Sequence, residues 1–97
     1  MGKVYTVVLY RTITDDAARA AYTELAGPAI AAAGGRVIAR GMPLAVEEQG
    51  LNQRSLIIEW DSLEQAVGIY EDPAYKLALE KLGSTAERDI RILEAVG

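Results

Sequence analysis

Three short segments of this chain carry apolar side chains on both sides of what should be a β-strand. In Lys3–Arg11 (KVYTVVLYR), Val4, Thr6, Val8 and Tyr10 share one parity, and Tyr5, Val7 and Leu9 share the other. Leu56 and Ile58 oppose Ile57 in Arg54–Trp60 (RSLIIEW), and Ile90 and Ile92 oppose Leu93 in Glu87–Val96. Side chains alternate across a strand, so a sheet with one wet face shows a polar residue at every second position. These strands instead require cover on both faces. A chain of 97 residues can lay its own helices on one face only. A second copy of the same chain is the simplest cover for the other, through an interface on the order of 1,600 Å².

The segments between the strands read as helices. Ala18, Tyr22, Leu25, Ala29 and Ala32 recur at spacings of four and three behind Thr14-Asp15-Asp16, which supplies N-cap chemistry. Pro28 falls inside this stretch and predicts a kink or two short helices. Gly34-Gly35 ends it with a residue free to adopt the left-handed C′ conformation. Ser62 and Gln65 form a capping-box pair ahead of the stripe Leu63, Ala66, Val67 and Tyr70. Asp72-Pro73 restarts the chain as a cap followed by a first-turn proline, and Tyr75, Ala78, Leu79 and Leu82 carry that helix to Gly83. Gly35–Gly41 is the second strand, which Leu44–Glu48 is expected to resume beyond a bulge at Met42-Pro43. The order is β-α-β-β-α-β. It predicts an α+β, ferredoxin-like single domain over residues 1–97, with a four-stranded antiparallel sheet, both helices on one face, and the third strand between the first and second.

Histidine and cysteine are both absent. That excludes disulfides, a thiolate nucleophile, metal or haem held by Cys or His, and any His-dependent triad. No cofactor is expected. Asp15-Asp16 and Glu47-Glu48 are adjacent pairs rather than spaced oxygen ligands, so no metal site is expected either. Ten basic residues against fourteen acidic ones give a net charge of −4, and no basic run reaches three, which argues against a nucleic-acid partner. No apolar run approaches the ~20 residues of a membrane span, and no secretory leader follows Lys3, so a cytoplasmic protein is expected.

Carboxylates, Tyr, Lys, Arg and hydroxyls remain for chemistry. If Gln49-Gly50 makes a two-residue turn, opposed residues of the second and third strands sum to about 99 and Arg40 faces Glu59. A cross-strand ion pair is the natural account of two charges inside apolar runs. Apolar neighbours would raise the Glu59 pKa and make it the best general-base candidate, with Arg40 polarising a substrate oxygen. Tyr22, Tyr70 and Tyr75 on the helices and Trp60 at the end of the third strand are the candidate ligand-binding residues. Core packing is the competing account for all four. A cavity of roughly 300 Å³ or more reaching Glu59 would favour ligand binding, whereas a solid core would favour a structural module.

Three segments also resemble the domain of unknown function 1330 family. Gly34–Gly41 (GGRVIARG) is similar to its GGR-x-x-ARG segment, Ile57–Ala66 (IIEWDSLEQA) to its I-E-F-P-S-x-E-x-A segment, and Tyr70–Tyr75 (YEDPAY) to its Y-x-S-P-E-Y segment. Tyr22 and Pro28-Ala29-Ile30 fit its first helix. Trp60, Asp61 and Asp72 depart from the family's usual Phe, Pro and Ser. The resemblance implies a dimeric α+β barrel, a superfamily that includes cofactor-independent monooxygenases, lactone isomerases and haem enzymes. Without histidine, the His-ligated haem branch is excluded. The resemblance transfers no catalytic residue; Arg40, Glu59, Tyr70 and Tyr75 are the motif positions to test. The expectation is a homodimer through the sheet face, each subunit binding a small organic metabolite in a cleft between sheet and helices. The alternatives are a cofactor-independent enzyme of isomerase or monooxygenase type, and a purely structural dimerisation module.

Overall fold

The computed structural model describes residues 2–97. They form β1 (Val4–Ile13), α1 (Asp16–Ala32), β2 (Arg36–Gly41), β3 (Ser55–Trp60), α2 (Leu63–Gly68), a 3-10 turn over Ile69–Glu71, α3 (Pro73–Leu82) and β4 (Ala86–Glu94). The sheet order is β2-β3-β1-β4 with every neighbour antiparallel, so β3 lies between β1 and β2 as the ferredoxin-like pattern requires. Among the described residues no helix is long and apolar enough to cross a membrane.

The helix ends follow the local chemistry. The Asp15 carboxylate accepts from the Ala18 amide at 3.1 Å, the Ser62 hydroxyl from Gln65 at 3.2 Å, and the Asp72 carboxylate from Ala74 and Tyr75 at 2.8 and 3.2 Å. Each satisfies backbone donors that the helix itself leaves unpaired. The second helical unit is split in two because Asp72-Pro73 starts a new N-terminus after the 3-10 turn. By contrast α1 runs through Pro28 as one helix. Glu24, whose carbonyl loses its usual donor there, is exposed, so water can satisfy it.

β1 divides the molecule. Val4, Thr6, Val8 and Tyr10 point inward beneath the helices and are buried, whereas Tyr5, Val7, Leu9 and Arg11 point outward. Ile58 and Trp60 of β3 join the buried side and pack with Tyr22, Ala26 and Ile30 of α1 and with Tyr75, Ala78 and Leu82 of α3. The principal extents are 36 × 35 × 16 Å, the thickness of one sheet and one helical layer. The outward side therefore has no cover of its own: Leu93 is 56% exposed and Leu9 38% exposed.

β2 departs from the expected hairpin. Gly41, at φ 128, turns the chain out of the ladder, and Pro43 has no N–H to continue it. Residues 42–54 then form a long connection. The expected Gln49-Gly50 two-residue turn does not form, and Leu44–Glu48 is not a strand. Leu44, Val46 and Leu51 stand exposed along this connection.

α1 closes on Ala33, and Gly34 takes the left-handed C′ position at φ 98. Gly35 has a different task. A Cβ there would lie 2.6 Å from Ile30 Cγ2 and 2.9 Å from the Trp60 ring. Trp60 is 1% exposed and has nowhere to move. Gly35→Ala should therefore lower unfolding stability by about 1–3 kcal/mol, read as a reduced chemical-denaturation midpoint. Gly27→Ala, which meets nothing within 4 Å in the same helix-and-sheet layer, should raise it by roughly 0.5–1 kcal/mol.

Candidate functional site

The core is not solid. A cavity of about 360 Å³ opens between the helices and the inward face of the sheet. Its floor is Thr6, Val8 and Tyr10 of β1 with Leu56, Ile58 and Trp60 of β3; its roof is Tyr22, Ala26, Gly27 and Ile30 of α1, with Ile69, Tyr70 and Tyr75 from the opposite side. Ala26 and Gly27 on the roof present almost no side-chain volume, which leaves the space. Trp60 is fixed as a wall because its indole N–H donates to the Thr6 hydroxyl at 3.0 Å. The four aromatic residues picked from sequence, Tyr22, Trp60, Tyr70 and Tyr75, all line this cavity.

Arg40 reaches the cavity through a defect in β2. Arg36 pairs with Glu59 and Val37 with Ile58, but the register then slips, so that Ala39 meets Ile57 and Arg40 meets Leu56. Ile38 is the extra residue of this bulge. In an unbroken strand Arg40 would share the outward parity of Arg36; the bulge turns it to the inward side beside Leu56. Arg54, just before β3, lines the cavity two residues from Leu56 on the same side, and its carbonyl accepts from the Tyr10 amide at 3.0 Å. Arg19 of α1 completes the cationic rim and is paired with Asp16 at 2.7 Å. That hydrogen bond holds the Asp16 carboxyl below its ordinary value, with a smaller contribution from Arg54.

Behind the roof lies a third kind of group. Arg88 of β4 sits opposite Tyr10, with its guanidinium carbon 5.0 Å from the Tyr22 ring centre and 5.7 Å from that of Tyr10. It donates to the Tyr22 hydroxyl at 3.1 Å, and Tyr22 and Tyr75 share a 2.7 Å hydrogen bond. Arginine only donates and a phenol has one proton. Either phenol can donate to the other, and in both arrangements one of the two phenol protons is left for a further acceptor at the cavity wall. Burial pushes the Tyr22 phenol well above the ordinary tyrosine range, so it stays protonated. Burial also raises the Tyr70 phenol, which meets Tyr75 edge-on at 5.6 Å. Arg88 was not picked from sequence, although it shares parity with Ile90 and Ile92.

Glu59 is elsewhere. It points to the outward face, and the expected Arg40–Glu59 pair does not exist: the longer β2–β3 connection sets Arg36, not Arg40, opposite Glu59, and the bulge then turns Arg40 to the other side of the sheet. Its partners are Arg36 Nε at 2.8 Å, the Tyr5 hydroxyl at 3.3 Å and Lys3 at 3.9 Å, while Arg36 and Lys3 also hold Asp61 at 2.9 and 3.3 Å. The expected raised pKa is also reversed: the Arg36 hydrogen bond holds Glu59 below the ordinary glutamate value. Among the described residues no group of three or more acidic side chains could hold a metal ion.

Three variants test this geometry. Tyr22→Phe strands the half-buried Arg88 guanidinium and should cost about 1–3 kcal/mol of stability, whereas Tyr70→Phe, whose hydroxyl lies outside that chain, should cost less. A lowered Glu59 pKa means that the pair's stabilisation is complete above about pH 4.3 and is lost as pH falls through the folded value. Arg36→Ala should move the Glu59 carboxyl midpoint upward in an NMR titration; an unmoved midpoint would show that Arg36 is not its partner.

A family model described as domain of unknown function (DUF1330) matches residues 3–96. Among curated proteins none matches. Several solved structures share the fold. RPA0582, a protein of unknown function from Rhodopseudomonas palustris, aligns with a TM-score of 0.78 at 21% identity over 99% of this chain and 84% of that one. A dimeric protein of unknown function with a ferredoxin-like fold, from Bacteroides fragilis, gives 0.66 at 19% over 98% of both chains. SnoaB, a cofactor-independent oxygenase from Streptomyces nogalater, gives 0.64 at 11% over 100% of this chain and 96% of that one. The ferredoxin-like architecture is common to all three, and the family match spans nearly the whole sequence: the chain belongs to the DUF1330 family.

Proposed function

We propose that the protein is a homodimer whose subunits each bind a small organic molecule in the cleft between sheet and helices. The observation that carries the ligand reading is the cavity itself. A volume of about 360 Å³ lies in the range of small-molecule sites, roughly 300–1,000 Å³, whereas a packed core leaves few voids larger than a water molecule. Its aromatic walls suit an apolar body, and its arginine, tyrosine and hydroxyl side chains offer donors to a polar group on that body.

Two features support the dimer. The outward sheet face carries Val7, Leu9, Ile57 and Leu93 without a covering layer. Beside it a second hollow of about 450 Å³ lies between Leu9 and Arg11 of β1 and the connection residues Pro43, Val46 and Leu51. A second copy laid on this face would fill both, and the Bacteroides fragilis neighbour is itself dimeric.

A second reading, a cofactor-independent enzyme of the isomerase or monooxygenase type, draws support from the Arg88–Tyr22–Tyr75 chain. The phenol proton left over by the Tyr22–Tyr75 bond, backed by the Arg88 cation, would polarise a substrate oxygen. Glu59 has no part in such a step from the outward face. The purely structural module is disfavoured by the open cavity.

A thermal-shift screen against a metabolite library tests the ligand reading. At least one compound should raise Tm, and Gly27→Leu, whose side chain grows from the cavity roof into open space, should abolish the shift while keeping the fold. Shifts that survive Gly27→Leu would place binding elsewhere. Sedimentation at micromolar concentration should give roughly twice the 10.4 kDa chain mass, and Ile57→Glu on the outward face should shift it toward monomer. A monomeric parent chain would overturn the dimer.

A further inference from the structure

Resting on the ligand-cleft reading above, we propose that the occupant is a small organic anion whose charged group lies between the guanidinium groups of Arg40 and Arg54. The chain carries fourteen acidic and ten basic residues, yet three arginines and no carboxylate line the cavity. An acidic protein thus keeps its negative charge away from this one concavity.

The pairing of the arginines sharpens the point. Arg11, Arg19, Arg36 and Arg91 each hold a carboxylate. Among the described residues Arg40, Arg54 and Arg88 do not, and all three surround the cleft. Arg88 is accounted for by Tyr22 and the two aromatic rings. The guanidinium groups of Arg40 and Arg54 have no hydrogen-bond or ion-pair partner among the described residues, and Arg54 acts on Asp16 only from a distance. Both line the same cavity, with Arg40 opposite Leu56 in the β2–β3 register and Arg54 two residues before Leu56, just ahead of β3. Like charges so placed repel, and a bound anion turns that repulsion into attraction.

Two guanidinium groups offer forked donors that match the oxygen pair of a carboxylate. The apolar floor of Ile58 and Trp60 then takes the body of the molecule. The phenol proton that the Tyr22–Tyr75 bond leaves over supplies one further donor to an oxygen on that body, and nothing lining the cavity offers an anionic acceptor to a cationic ligand. Asp16, the nearest carboxylate to this rim, is engaged by Arg19 through both oxygens, at 2.7 and 3.4 Å.

The test uses the full chain and matched probes: benzoate with benzamide, cinnamate with cinnamamide, and cyclohexanecarboxylate with cyclohexanecarboxamide. Each is titrated while NMR follows the indole N–H of Trp60, the one tryptophan in the chain and a wall of the cavity. The best carboxylate should bind at least about tenfold more tightly than its amide, as charged hydrogen bonds allow. The double variant Arg40→Gln/Arg54→Gln should lose that preference and retain the amide's affinity. Equal binding of acid and amide would overturn the anion assignment while leaving the cleft reading intact. A preference that survives the double variant would also overturn it, because the charge would then sit elsewhere. No response of Trp60 to any probe would overturn the anion assignment and the cleft reading together.

Discussion

A sheet has two faces, and this chain supplies helices for one. Its remaining properties follow from that shortage. Helices α1 and α3 lie on the inward face and together leave a slab 16 Å thick. Because the strands carry apolar residues outward as well as inward, the second face is unfinished. Because the roof over the first face is built partly from Ala26 and Gly27, the covered side is not filled either. The molecule thus has one incomplete surface and one incomplete core, and each has its own chemistry.

The division between them is enforced by one residue of β2. Ile38 interrupts the pairing with β3 and reverses the parity of all that follows. Before it, Arg36 points outward and ties Glu59 and Asp61 into a charged cluster at the sheet end. After it, Arg40 points inward to the cavity. Two arginines four residues apart on one strand therefore serve opposite faces. The negative charges stay with the first and none follow the second.

The sheet order, the helix caps, the C′ glycine and the two-sided strands were all legible in the sequence, because each depends on neighbours within a few residues or on simple alternation. The cavity aromatics were legible for a related reason: Tyr22, Tyr70 and Tyr75 mark the apolar stripes of their helices, and stripes face the sheet. The Arg40–Glu59 pair was misread because the connection is far longer than a two-residue turn, which puts Arg36 opposite Glu59, and because a bulge has no strong local signature. Val37, Ile38 and Ala39 are equally content in an even strand, and only the three-dimensional register shows which is extra. That slip also reversed the expected Glu59 environment, since polarity and partner both change with the face. Arg88 was missed although its parity with Ile90 and Ile92 marks it as a charge on the apolar side of β4. A charge there reads as a strand end until two rings and a phenol are seen around it.

One of the two central strands, β1, is also the first, and its neighbour β4 is the fourth. Val4 faces Glu94, and the Ala95 amide donates to the Lys3 carbonyl at 2.9 Å, so the two ends of the chain lie side by side. Until β4 has been made, β1 has an open edge, and Tyr22 lacks the cation that anchors it. Folding of the sheet thus waits on a pairing between segments roughly eighty residues apart and belongs with topologies whose long-range pairings make them slow. A truncation that removes β4 leaves a half-built sheet with its middle exposed, rather than a smaller version of the same domain.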